Sequence, residues 1–162
     1  MSATSRARRA PSTAQTVEVA PLTCTGATVR RLSRRMTSFY ERHLQRVGMT
    51  LAQYSLLAHL SEQPQSLLAL SRRMEMDRTT LTRNLKPLVA DGWAEEVHSD
   101  DARQRLYVLT KTGERVRRNA REAWQAAQLA LEKQLGSDFV AGLHKQIDRA
   151  LAKLKPALPE EN

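Results

Sequence analysis

MDRTTLTRNLKPLVADGW (76–93) and, five residues on, SDDARQRLYVLTKTG (99–113) differ in hydrophobic period. In the first, Leu81, Leu85 and Leu88 recur at steps of four and three, the spacing of one helix face. Asp77 can cap that helix, its carboxylate accepting from the orphan amides of the first turn. Asp91-Gly92 ends it in a chain reversal whose left-handed position suits Gly. Trp93–Val97 and Arg105–Leu109 then alternate as strands do, with the polar run 99–104 as a hairpin loop.

Upstream, Ser66 begins a short helix carrying Leu67, Leu70 and Met74, and Met74-Glu75-Met76 joins it to the Asp77 helix. Thr50 caps an earlier helix with Leu51, Tyr54, Leu57 and Leu60 as its stripe, and Pro64 breaks the pattern after it. Further back, Val29, Leu32, Met36, Phe39, His43 and Val47 mark one face of a long helix that Gly48 stops. Downstream, Thr110 opens a fifth helix with Val116, Ala120, Trp124, Ala127, Leu131 and Leu135. Gly136 ends it, and Ser137 caps a sixth with Val140, Leu143, Ile147, Leu151 and Leu154. The expected fold is mainly α with a small β-hairpin wing: a winged helix-turn-helix (about 50–112) plus long helices (about 24–47 and 111–155). A winged domain of ~60 residues cannot cover three long apolar faces, so a second copy of the chain is expected to do so. Residues 23–158 form this single domain, and 1–22, small and polar with Arg6, Arg8 and Arg9, read as a disordered basic tail.

Composition narrows the function. The 162 residues are 41% hydrophobic and 27% charged, with 26 Lys and Arg against 17 acids, a net charge of +9. Residues 1–35 hold seven arginines against Glu18 alone. Such a surplus favours a polyanion, most often nucleic acid, through counterion release. One cysteine, Cys24, excludes an intrachain disulfide framework. No apolar run approaches the ~20 residues of a membrane span, so a cytoplasmic protein is expected. The four histidines lack metal-binding spacing, and no phosphate loop or nucleophile elbow accompanies them. No enzyme activity, metal or cofactor is expected.

A helix that reads DNA must expose short polar side chains at its N-terminal end to reach base edges in the major groove. With Leu81 and Leu85 inward, Arg78, Thr79, Thr80, Arg83 and Asn84 are left for that task. Arg83 can donate two bonds to guanine, and a threonine methyl suits the thymine methyl. In the hairpin, Arg103 and Arg105 would rest on phosphate or enter the minor groove, with Asp101 aiming Arg103. Arg105 has a plainer alternative, pairing across the hairpin with Glu95 or Glu96. An architectural DNA-coating protein is the competing class, and the polar face from Thr79 to Asn84 argues for sequence preference instead.

These two runs resemble the multiple-antibiotic-resistance regulator (MarR) family. The family's wing pattern, Asp-x-Arg, five residues, Leu-Thr-x-x-Gly, is matched by Asp101, Arg103, Leu109, Thr110 and Gly113. RVGMTLAQYSLLAHL (46–60) is also similar, and the likeness runs from about Cys24 to Leu154. The resemblance implies a homodimer on double-stranded DNA with a pseudo-palindromic operator. It also implies a repressor released by a small molecule or by oxidation.

Two sensors follow. In the organic-hydroperoxide branch of the family a lone cysteine near Cys24 is held by two tyrosines of the partner subunit. Tyr40 falls at one of those positions; the other is Leu51 here, and Cys24 lies about two residues further from Tyr40. Alternatively, aromatic carboxylates bind many relatives between the dimerisation helices and the winged domain, where Arg30, Arg34, Tyr40, His43 and Trp124 are the candidate lining.

Overall fold

The computed structural model describes residues 24–99 and 104–154. The expected basic tail, Asp101, Arg103 and the tip of the wing lie outside the described residues. The elements run α1 (Thr25–Leu44), a 3₁₀ turn (Gln45–Val47), α2 (Leu51–His59), β1 (Gln65–Ser66), α3 (Leu67–Met74) and α4 (Arg78–Ala90). They continue with β2 (Ala94–Val97), β3 (Leu106–Leu109), α5 (Lys111–Leu135) and α6 (Ser137–Lys153).

The caps are the ones that residue chemistry suggests. Thr50 and Gln53 form a capping box, each side chain accepting from the other's amide at 3.2 and 2.9 Å. Ser66 caps α3 through the Ala69 amide at 3.1 Å, and Asp77 caps α4 through the Thr80 amide at 2.8 Å. The α3–α4 turn is tightened by Ser71, whose buried hydroxyl donates to the Met76 carbonyl at 2.7 Å, and by Glu75 in left-handed backbone (φ 49°). Thr110 caps α5 through the Gly113 amide at 2.9 Å while its hydroxyl donates to the Gly92 carbonyl at 2.7 Å. One residue thus ties the end of α4 to the start of α5. Ser137 is not a cap: Gly136 holds that position, and Ser137 is the first residue of α6.

The hairpin belongs to a three-stranded antiparallel sheet of order β1-β3-β2. Ala94 pairs with Leu109 and Val97 with Leu106, and β1 adds two residues, Gln65 opposite Tyr107 and Ser66 opposite Leu106. That third strand was not expected, because two residues next to a proline carry no alternation. The core joins Leu44, Leu56, Leu57, Leu60, Leu70, Leu81, Leu85, Leu88, Tyr107 and Leu109, so α2, α3, α4 and the sheet share one interior.

The long helices are covered unevenly. Ala120, Ala127 and Leu131 of α5 and Val140 of α6 are buried, as their stripes require. Val29 and Leu32 of α1, Leu135 of α5, Ile147 and Leu151 of α6 and Leu154 just past its end remain exposed on the single chain, joined by Leu129 and Phe139. Trp124, on the α5 face that a second copy is expected to cover, is instead claimed within the chain. Its ring stacks on Tyr54 of α2 at 5.9 Å, against the chain's own core.

Candidate nucleic-acid interface

The buried leucines of α4 fix which way its polar residues point. With Leu81, Leu85 and Leu88 essentially inaccessible, Arg78, Thr79 and Arg83 are exposed, and Thr80 and Asn84 are half-buried along the same edge. Asp77 spends its carboxylate on capping, and hydrogen bonds from the Thr80 side chain and amide hold its pKa below the usual 3.8. The first turn therefore projects one guanidinium and one hydroxyl, with a second guanidinium a turn later.

The base of the wing reaches the same end of α4. Arg78, Gln104 and Arg105 border one cleft of about 310 Å³, closed behind by Ser66, Leu67 and Leu68 at the start of α3. The Leu67 amide donates to the Arg105 carbonyl at 2.9 Å, which fastens α3 to β3 at this point. Gln104 carries no periodic signal in the sequence and Ser66 reads there only as the start of a helix; the β1–β3 pairing brings both beside Arg78. Arg105 has the plainer partner as well: its Nε lies 3.7 Å from Glu96 on β2. Tyr107 donates to the same carboxyl group at 3.2 Å, and burial with the Glu96 charge raises its pKa. The pair fixes the wing base, while the Arg105 side chain stays 60% exposed.

The expected sensing residues do not assemble in one place. Arg34 borders a shallow basic cleft on α1 of about 690 Å³, together with Arg31, Arg35 and Arg42. Tyr40 turns inward and donates to Gln128 of α5, its pKa raised by burial and by Glu132. His43 packs on Phe39 with 5.7 Å between rings, its Nδ1 buried without a partner. Arg30 is exposed on α1, and Trp124 stacks on Tyr54 instead of joining these residues. Cys24 is the exposed N-cap residue of α1 and makes no side-chain capping bond. Sixteen residues of helix separate it from Tyr40, about 24 Å along the axis, so the two do not meet within one chain.

A second arginine cluster, within little more than one turn of α5, carries no flanking motif that marks it in the sequence. Arg117, Arg118 and Arg121 line a cleft of about 480 Å³ between α5 and α2, with Glu114, Tyr54 and Ala58. Arg117 crosses it and donates to the Leu60 and Leu57 carbonyls at 2.9 and 3.4 Å, the last turn of α2. From the other side Arg73 of α3 donates to the His59 carbonyl at 3.2 Å. A helix C-terminus carries partial negative charge, so two cations there suit its dipole. The same carbonyls thereby link α5 to the helix-turn-helix. Among the described residues no cluster of His, Cys, Asp or Glu could hold a metal ion, and no helix is long and apolar enough to cross a membrane.

The family described as the HVO_A0261 N-terminal domain matches residues 43–132, more than half of the chain. No curated protein matches the sequence. Among solved structures, a mutant of E. coli MarR complexed with operator DNA is 25% identical with a TM-score of 0.70, over 78% of this chain and 92% of that one. The M. tuberculosis transcriptional regulator MosR in complex with DNA is 29% identical with a TM-score of 0.65, over 79% and 98%. The transcriptional repressor CouR, bound to a 23-mer DNA duplex, shares the fold at 21% identity and a TM-score of 0.71, over 78% and 92%.

Proposed function

The chain belongs to the HVO_A0261 N-terminal domain family and is a winged-helix regulator of the MarR type, and from that premise we propose that it is a dimeric, sequence-specific DNA-binding repressor. The observation that carries this reading is the N-terminal turn of α4. Its exposed Thr79 and Arg83 stand beside a wing whose base sets Arg105 next to Arg78. Base edges in the major groove are met by the first group, and phosphate by the second. Similar proteins have been captured on DNA, which supports duplex DNA as the partner. Two copies related by a two-fold axis would read half-sites ~10 bp apart. The exposed apolar residues of α1, α5 and α6 supply the surface on which those copies meet.

Release is assigned to an anionic aromatic effector in the α2–α5 cleft. Tyr54 offers it a ring face, and the three arginines offer charge. An anion there competes with the α2 carbonyls for Arg117 and loosens the link between α5 and the reading helices. The test is fluorescence anisotropy on the DNA upstream of the protein's own gene and on a scrambled duplex at fixed salt. A preference of ~10³ or more, lowered by an aromatic carboxylate, is expected of a repressor. Equal binding to both duplexes under all conditions would sink the sequence-specific reading and leave an architectural protein.

A further inference from the structure

We propose that the arginine face of α1 is a second nucleic-acid site, which takes the phosphodiester backbone of duplex DNA independently of α4 and the wing. It rests on the reading above in one respect, that duplex DNA is this chain's partner.

Arg31, Arg34, Arg35, Ser38 and Arg42 recur at helical spacing and border the shallow α1 cleft, whose remaining lining includes a single acid, Glu41. Arg31, Arg34 and Arg35 are exposed, and no described residue holds any of them in an ion pair. Arg42 is held over the Phe39 ring, its guanidinium carbon 5.4 Å from the centroid, which fixes one cation at the edge of the cleft. At 1.5 Å per residue the row from Arg31 to Arg42 is ~16 Å long, and a duplex of that length presents about five phosphates on each strand. At 100° per residue, Arg31, Arg35 and Arg42 lie roughly opposite Val29, Met36 and Tyr40. A second copy docked about Val29 therefore leaves Arg31 and Arg42, roughly 140–160° away around the helix, uncovered, with Leu32 at the near edge of the arginine row.

The site is separate from the reading face, because α1 packs chiefly on α5 and secondarily on α2. Phosphate fits better than an acidic protein. A protein interface needs a desolvated apolar centre, and here the one large apolar side chain, Phe39, is half-buried and already lies under Arg42. Planar guanidinium forks in a row match an anionic backbone that carries no sequence information.

The test compares the full chain with R31Q/R35Q/R42Q and R31K/R35K/R42K on a random-sequence 40-bp duplex across a salt series. Losing three phosphate contacts should flatten the slope of log affinity against log salt by roughly 2–3. Affinity at low salt should fall at least tenfold for the Gln variant, and the Lys variant should restore most of both. Slope and affinity unchanged in the Gln variant overturn the proposal. Binding of poly-glutamate in preference to the duplex, abolished by the same substitutions, overturns it in favour of an acidic polypeptide. The two readings fail separately. Loss of preference for upstream DNA in the unmodified chain refutes the α4 assignment, and a flattened slope in the Gln variant would still uphold the α1 site. A normal preference with an unmoved slope does the reverse.

Discussion

Arg83 reaches outward from the second turn of α4 because Leu81 and Leu85, on either side of it in sequence, are drawn into the core. Replacing it with Ala should cost ~1–3 kcal/mol of DNA affinity and relax preference at one base position, as the loss of a bidentate contact does. Anisotropy against a set of single-base operator variants checks this, and an unchanged preference profile would remove Arg83 from the reading face. Asp77, one residue before α4, acts on stability. Its folded pKa is held below 3.8 by the Thr80 side chain and amide, so its stabilising bond is complete above that value. The contribution is lost as pH falls through the lowered folded value. Asn at position 77 can still cap but does not titrate. The stability gap between the chain and D77N should therefore hold steady at neutral pH and close below pH ~4. Denaturant melts across that range measure the gap, and a gap that widens in acid would contradict the assignment.

Among the elements, the junction of wing and α5 is the most constrained. A Cβ at Gly113 would lie 1.9 Å from the Trp93 carbonyl oxygen and 2.9 Å from Leu109, both fixed by the hairpin. That contact gives a physical reason for the Gly in the Leu-Thr-x-x-Gly pattern: the first turn of α5 is laid directly on the backbone of β2's start. G113A should lose more than about 3 kcal/mol in urea denaturation, since neither backbone nor strand partner can yield. A loss under 1 kcal/mol would mean that the approach is looser than described. The Arg117 bridge from α5 to α2 makes a different demand. Cutting it in R117A should cost about 1–2 kcal/mol, as a charge-assisted bond at a half-buried site does. It should also raise amide exchange in the last turn of α2 without changing that of α6. Equal exchange in both helices would mean that Arg117 carries no link.

At the scale of the whole molecule, the uneven coverage of the long helices is what the proposed dimer would answer. Ile147 and Leu151 of α6 keep 43% and 51% of their surface accessible on one chain, and Leu154 just beyond keeps 68%, a large apolar surface to leave facing water. Covering each such side chain stabilises by ~1.5–3 kcal/mol. I147D/L151D should therefore sediment as a folded monomer and lose the affinity that two joined half-sites confer. Sedimentation equilibrium decides it: a dimer that survives both charges must be held elsewhere.

The sequence by itself determined the elements and their inward faces. Caps at Thr50, Asp77 and Thr110 and leucine spacing on α4 are local chemistry, and each is found where its residues place it. The outward edge of α4 was legible for the same reason, since once Leu81 and Leu85 face inward their neighbours point away from the core. What only the tertiary structure decided are the meetings between distant segments. Gln65 and Ser66 become a strand because β3 passes beside them, and Gln104 joins Arg78 through that pairing. Arg117 finds the end of α2 sixty residues away, and Trp124 leaves the expected sensing residues for Tyr54. Helix and strand periodicity record which face of an element avoids water, but not which other element covers it, and which side chains line a cleft between elements depends entirely on the latter.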